Sequence, residues 1–323
     1  MNPKTSTRLD SIDALRGFDM FFITGGAALI HALYKACPAS PLLGALDAQM
    51  HHMPWNGFTC YDMIFPLFLF LAGVSFPFSL AKSRERGVSE RRIVVQIVRR
   101  AVTLFLLGLV FNGFFRFDFA SMRWVSVLGR IGLAWGIAAL CYRRCRWQTI
   151  AALSVGVLAV YGCATALLIA PDAPAGAAPL SVEGNIVGYV DRMLLPGRLL
   201  DGRFDPLGLL STLPAVVTAW LGMFVGTWIR NMQVAPLRRL LGLVAGGAAL
   251  TLVGLLLDPV LPINKPLWSS SYVCFAGGIS ALLFALFYGV IDLLGWRRWA
   301  FYFRMIGLNS ITIYLVQKFV DMK

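Results

Sequence analysis

The sequence predicts an all-α, polytopic membrane protein, and three observations carry that prediction. First, 58% of the 323 residues are hydrophobic and only 14% are charged, with a mean hydropathy of +0.71. Soluble domains are about 45–50% apolar and about 25% charged. Second, apolar runs recur at about 17–34, 61–81, 101–117, 125–142, 148–170, 207–229, 240–257, 268–294 and 300–320. Each is close to the roughly 17–25 residues that a spanning helix needs, which gives about nine helices in a single domain over 1–323. Third, the basic residues alternate between the connecting segments. With the N-terminus cytoplasmic, 19 of the 29 Lys and Arg fall on the cytoplasmic side, from Lys4, Arg8 and Arg16 through the cluster at 82–100 to Arg297, Arg298 and Arg304. The net charge of +13 is therefore a topology signal and not a nucleic-acid signature.

The elements follow in order. Helix one starts late and has no small-residue cleavage site followed by a soluble domain, so it reads as a retained helix in a multi-pass inner-membrane protein. Asp13, Arg16 and Asp19 share one face near its start. The loop at 51–62 precedes helix two and holds His51, His52, Trp55, Asn56 and Asp62, with Pro54 and Gly57 as turn formers. Thr59 or Asp62 is positioned to cap the helix that follows. Pro66 and Pro77 lie inside that helix. Arg130 falls within a span, where a charge needs a partner, and Asp19 is one candidate. The stretch from Asn185 to Leu200 is amphipathic and suits the membrane surface.

Two later segments are polar where the membrane is not. PINKPLWSSSY at Pro262–Tyr272 offers Asn264, Lys265, Trp268 and Ser269 at a helix start. Asn309 and Ser310 sit within the last run, where hydrogen bonds between helices are the ordinary use of such residues. The three histidines, His31, His51 and His52, show no metal-ligand spacing, and no metal is expected. Cys37 and Cys60 fall on one side of the membrane, and their pairing is left open.

Six blocks in order resemble the heparan-α-glucosaminide N-acetyltransferase family of membrane acyltransferases. They are RLDSIDALRG (Arg8–Gly17), HMPWNGFTCYDMIFPLFLFLAGVS (His52–Ser75), VLGRIG (Val127–Gly132), DPLGLLSTLPAV (Asp205–Val216), PINKPLWSSSYV (Pro262–Val273) and GLNSITIYL (Gly307–Leu315). The resemblance implies transfer of an acetyl group from cytoplasmic acetyl-CoA to an amino sugar or glycan on the periplasmic side. By motif match the family's catalytic histidine falls on His52. Asn56 and Asn309 are expected as oxyanion donors, and Asp62 and Asp19 as groups that orient the imidazole. Arg16, Arg91, Arg92, Arg99, Arg100 and Arg130 are candidates for the phosphates of CoA. Trp55, Asn264, Lys265, Trp268 and Ser269 are candidates for the acceptor.

The resemblance also implies that contact with lipid and a homodimer are plausible. The competing reading is an inner-membrane transporter of an amino sugar such as N-acetylglucosamine. Two departures stand out. Where the family carries an Asn in the middle of helix one, this chain reads Thr24-Gly25-Gly26-Ala27. The chain also ends just after the GLNSITIYL segment, where the family continues with a further helix.

Overall fold

The computed structural model describes residues 9–320. Lys4 and Arg8, which figure in the charge pattern, lie outside the described residues. Within them the chain is helical, with no named strand and only isolated bridges such as Asn56 to Asn264 and Arg123 to Gly197. Backbone groups in lipid must be satisfied internally, so helices are the expected element.

The helices are α1 (Asp10–Phe21), α2 (Ala27–Ala36), α3 (Pro41–Gln49), α4 (Ile64–Glu85), α5 (Glu90–Phe111), α6 (Val127–Arg144) and α7 (Trp147–Leu167). They continue as α8 (Ile186–Leu194), α9 (Thr212–Arg230), α10 (Pro236–Leu257), α11 (Ser270–Phe287), α12 (Phe301–Leu308) and α13 (Ser310–Val320). Among the described residues seven segments are long and apolar enough to cross a membrane: Asp10–Ala36, Cys60–Glu85, Glu90–Phe111, Trp147–Leu167, Thr212–Arg230, Pro236–Leu257 and Ser270–Leu293.

The other two expected spans are helical as well, but differ. The 18 residues of α6 include Arg130, Arg143 and Arg144. The last run breaks at Asn309 into α12 and α13. The expected first helix is likewise divided, by a π-helical turn at Phe22–Gly26 that spans the Thr24-Gly25-Gly26 departure. The third helix starts at Glu90 and not near 101, because the Ser89 side chain accepts from the Arg92 backbone N–H and caps it there. Arg91, Arg92, Arg99 and Arg100 are therefore helical and not loop residues.

α4 and α11 are the most enclosed of the seven, while α10 is the most open. Small residues set the closest approach. Gly73 on α4 meets the Ala219 carbonyl of α9, and Gly222 and Gly226 on α9 meet the Phe70 and Val74 carbonyls of α4. A side chain at any of the three would force the helices apart. α5, α7 and α10 carry exposed apolar side chains, among them Leu106, Val155 and Leu256, as a lipid-facing surface does. The amphipathic α8 turns part of its apolar face inward: Val187 packs with Tyr161 and Leu267, while Met193 and Leu194 remain exposed.

Candidate functional site

The site forms where the loop before α4 meets the loop before α11. The 3₁₀ turn Cys60–Met63 opens with a capping box in which Thr59 and Asp62 satisfy each other's backbone N–H groups. Both candidate caps are thus used. Asp62 is fully buried and carries more than this duty. Its Oδ2 accepts from Thr59 N at 3.2 Å, Thr59 Oγ1 at 3.1 Å and Met53 N at 3.3 Å. Its backbone carbonyl accepts from the Tyr272 hydroxyl at 2.8 Å, which ties the turn to α11.

Oδ1 of Asp62 meets two further side chains. It lies 2.8 Å from His52 Nδ1 and 3.1 Å from Lys265 Nζ. An ionised carboxylate can only accept, so Nδ1 carries the proton of that contact. Lys265 Nζ is also 3.1 Å from His52 Nδ1, and donates to the carboxylate. The tautomer that results leaves Nε2 as the basic nitrogen. The His52 ring packs against Tyr61 at 4.7 Å and is about half exposed. Burial pushes the Lys265 ammonium below its ordinary range, opposed by Asp62 and then by Asp19.

His52, Asp62 and Lys265 line a cavity of about 610 Å³. That is the size of a small-molecule site. Its other walls come from several elements: Met20 on α1, Ile23 in the π-helical turn after it, Phe68 on α4, Ile131 on α6, and Tyr314 and Gln317 on α13. Arg123 also lines it, held by Asp205 through two hydrogen bonds of 2.5 and 2.6 Å. Arg123, Tyr61 and Gln317 were missed in the sequence. Gln317 was legible only as one polar residue in an apolar run, and Arg123 read as an ordinary loop charge.

The other expected residues fall into distinct places. Asn264 is buried and donates to Asn56 Oδ1 at 3.0 Å, which joins the two loops behind the site. Trp55 donates to the Leu180 carbonyl at 2.8 Å and packs on Phe204. Ser269 caps α11 and Trp268 is buried, donating to Thr218 Oγ1 at 3.1 Å. These five build the loops, and none of them lines the cavity. Asn309 is exposed at the α12–α13 break and donates to the Met305 carbonyl. Asp19 is buried on α1, and its Oδ2 has no hydrogen-bond partner. Its expected pairing with Arg130 does not form. Arg130 instead donates to the Pro206 and Ser211 carbonyls and lies 4.4 Å over the Trp268 ring.

The remaining arginines form two groups. Arg91, Arg92 and Arg99 are exposed along α5 and share a surface hollow. Arg16 is partly buried on α1, and Arg100 is exposed on α5. Arg16 donates to Ser75 Oγ at 3.1 Å and pairs with Asp13, and Arg100 lies over the Trp135 ring at 4.4 Å. Cys37 and Cys60 are both free and exposed. The sequence also hid one cluster. His31, Asp47 and His51 come together, although only the Asp47–His51 spacing of four was visible.

Known proteins place the chain. The catalytic-region model of heparan-alpha-glucosaminide N-acetyltransferase matches residues 8–254. The chain is similar to heparan-alpha-glucosaminide N-acetyltransferase of Mus musculus, 27% identical over 96% of this chain and 54% of the relative. It is 26% identical to the Homo sapiens protein of the same name, over 95% of this chain and 52% of the relative. The chain thus spans about half the length of these curated relatives. With most of its length matched, the chain belongs to the heparan-alpha-glucosaminide N-acetyltransferase catalytic family.

Proposed function

We propose that the protein is a membrane acetyltransferase that takes the acetyl group from cytoplasmic acetyl-CoA and passes it to an amino sugar or glycan on the periplasmic side. The observation that carries this reading is the hydrogen bond from His52 Nδ1 to buried Asp62, which leaves Nε2 basic in a ring that lines the cavity. In this reading the amine of the acceptor attacks the thioester carbonyl while Nε2 takes its proton. The C–S bond breaks, and the same imidazole returns the proton to the CoA thiolate. Asp62 stabilises the imidazolium that forms in between. The Lys265 ammonium adds positive charge near the carbonyl oxygen. In this scheme transfer is direct, with one imidazole acting first as base and then as acid.

For the donor, Arg16 and Arg100 are the phosphate ligands of choice. Arg16 is held by Ser75 and Asp13 and Arg100 by the Trp135 ring, so both guanidinium groups are held in place for an anion. Ser75, which anchors Arg16, lies 13 residues beyond Asp62 in the chain and so about 20 Å along the α4 axis. An extended CoA arm spans that distance, so phosphates at one end and thioester at the other suit a single donor. A homodimer in the inner membrane is compatible with this scheme.

The test uses the purified chain in detergent with acetyl-CoA and glucosamine. The expected result is N-acetylglucosamine and free CoA thiol from the wild type, and neither from His52→Ala. Equal turnover by the variant overturns the assignment of His52. Absence of thioester turnover, together with uptake of labelled sugar by reconstituted vesicles, favours a transporter instead.

A further inference from the structure

α3 presents an unusual problem of attachment. None of its nine residues is buried, so apolar packing contributes little to holding it. Tyr34 of α2 approaches Gly44, and the rest of the tie is polar. Asp47 of α3 lies 2.6 Å from His31 Nδ1 of α2 through Oδ1, and 3.2 Å from His51 Nε2 through Oδ2. The two imidazoles stack at 4.5 Å with their planes 36° apart. The three ligand-type atoms all lie within 4.8 Å of one another.

We propose that His31, Asp47 and His51 form a binding site for a divalent transition metal of the zinc class. Two imidazoles and one carboxylate are ligands suited to Zn²⁺. Four-coordinate Zn²⁺ with bonds of about 2.0–2.1 Å sets its ligand atoms about 3.3 Å apart. The carboxylate contacts open slightly to reach that spacing. The bound ion takes the place of the hydrogen bonds from Nδ1 and Nε2 to Asp47, and each neutral imidazole keeps its one proton on its other ring nitrogen. The half-exposed rim leaves a fourth position for water.

The site is separate from the reaction centre but linked to it. The His51 carbonyl accepts from Thr59 Oγ1 at 2.6 Å, and the Thr59 backbone N–H donates to Asp62. The Gln49 side chain accepts from the Cys60 backbone N–H at 3.0 Å. An ion held by His51 therefore fastens α2 and α3 to the loop that carries His52. The proposal rests on these three ligands alone, and stands whatever group the protein transfers.

The experiment titrates Zn²⁺ alone into the chelator-stripped full chain in detergent, read by calorimetry, with Co²⁺ absorption as a second readout of ligand geometry. Wild-type protein is expected to bind one Zn²⁺ per chain with micromolar or tighter affinity and to give tetrahedral Co²⁺ bands. His31→Ala, His51→Ala and Asp47→Asn are each expected to weaken binding by about tenfold or more. His52→Ala is expected to bind as the wild type does, which separates the site from the catalytic histidine. An unaltered size-exclusion profile of each variant shows that lost binding is not lost folding. Tight binding that survives in the His31→Ala/His51→Ala double variant overturns the proposal, as does a wild-type chain with no saturable site.

Discussion

Lys265 and Arg130 sit in neighbouring regions and are both cations enclosed by the bundle, but their surroundings differ. Lys265 meets a carboxylate and an imidazole at the wall of a cavity. Arg130 is buried, meets two backbone carbonyls of the loop before α9, and stacks on Trp268. The guanidinium is a rigid fork of donors that suits fixed carbonyls and an aromatic face. The ammonium is a point charge that suits a site where charge develops. Arg130 holds the loops together, and Lys265 faces the cavity. An enclosed charge is thus a site only when it opens on space that a substrate can fill.

The largest expected effect breaks the reactive region and spares the structural one. His52→Ala is expected to lower the transfer rate by about a thousandfold, within the range for loss of a general base, with little change in thermal midpoint. A midpoint that falls with the rate would move His52 into the structural region. Asp62→Asn is expected to cost about a hundredfold in kcat, because an amide can present its N–H to Nδ1 and shift the basic nitrogen away from Nε2. It also weakens the capping box by about 1 kcal/mol, which urea or thermal unfolding would detect.

Arg130→Met is the converse. Two carbonyls lose their donors, so stability is expected to fall by about 2–4 kcal/mol, while activity per folded molecule stays near wild type. A variant of normal stability and no activity would contradict the division drawn between the two cations. Arg16→Gln and Arg100→Gln are expected to raise KM for acetyl-CoA by about tenfold, and Arg91→Gln by less than about twofold. Equal effects at all three positions would mean that the basic charge of α5 as a whole, and not Arg16 with Arg100, holds the donor.

The smallest effect concerns pH. Burial lifts Asp191 from its ordinary range to about 6. The unfolded chain ionises at lower pH than the native one, so this group costs stability as pH rises from about 4 to 6. Asp191→Asn removes that dependence. The stability difference between variant and wild type is expected to change by about 1 kcal/mol between pH 5 and 7, as read from thermal midpoints.

Much of this architecture was legible in the sequence. Hydropathy marks the spans, and the motif at His52–Ser75 places the imidazole beside the capping turn. The local pair His52 and Asp62, ten residues apart, follows from that turn. Lys265 was singled out as polar in an apolar chain, but its approach to His52 spans 213 positions and depends on how the two loops join through Asn56 and Asn264. The role of Arg130 was illegible because its partners are backbone carbonyls, which no side-chain pattern announces. The cluster of His31 with Asp47 depends on the α2–α3 hairpin, whose turn brings together residues sixteen apart. The start of α5 was misplaced because apolar content, not the Ser89 cap, set the expected boundary.

The central claim is that His52, as proton acceptor and then donor, lets an acetyl group pass directly from acetyl-CoA on one side of the membrane to an amine on the other. The most direct measurement seals glucosamine inside proteoliposomes and adds radiolabelled acetyl-CoA, which cannot cross the bilayer, to the outside. The account predicts labelled N-acetylglucosamine in the lumen with the wild-type chain and none with His52→Ala. Equal luminal label from both proteins, or label only on sugar outside the vesicles, would contradict it.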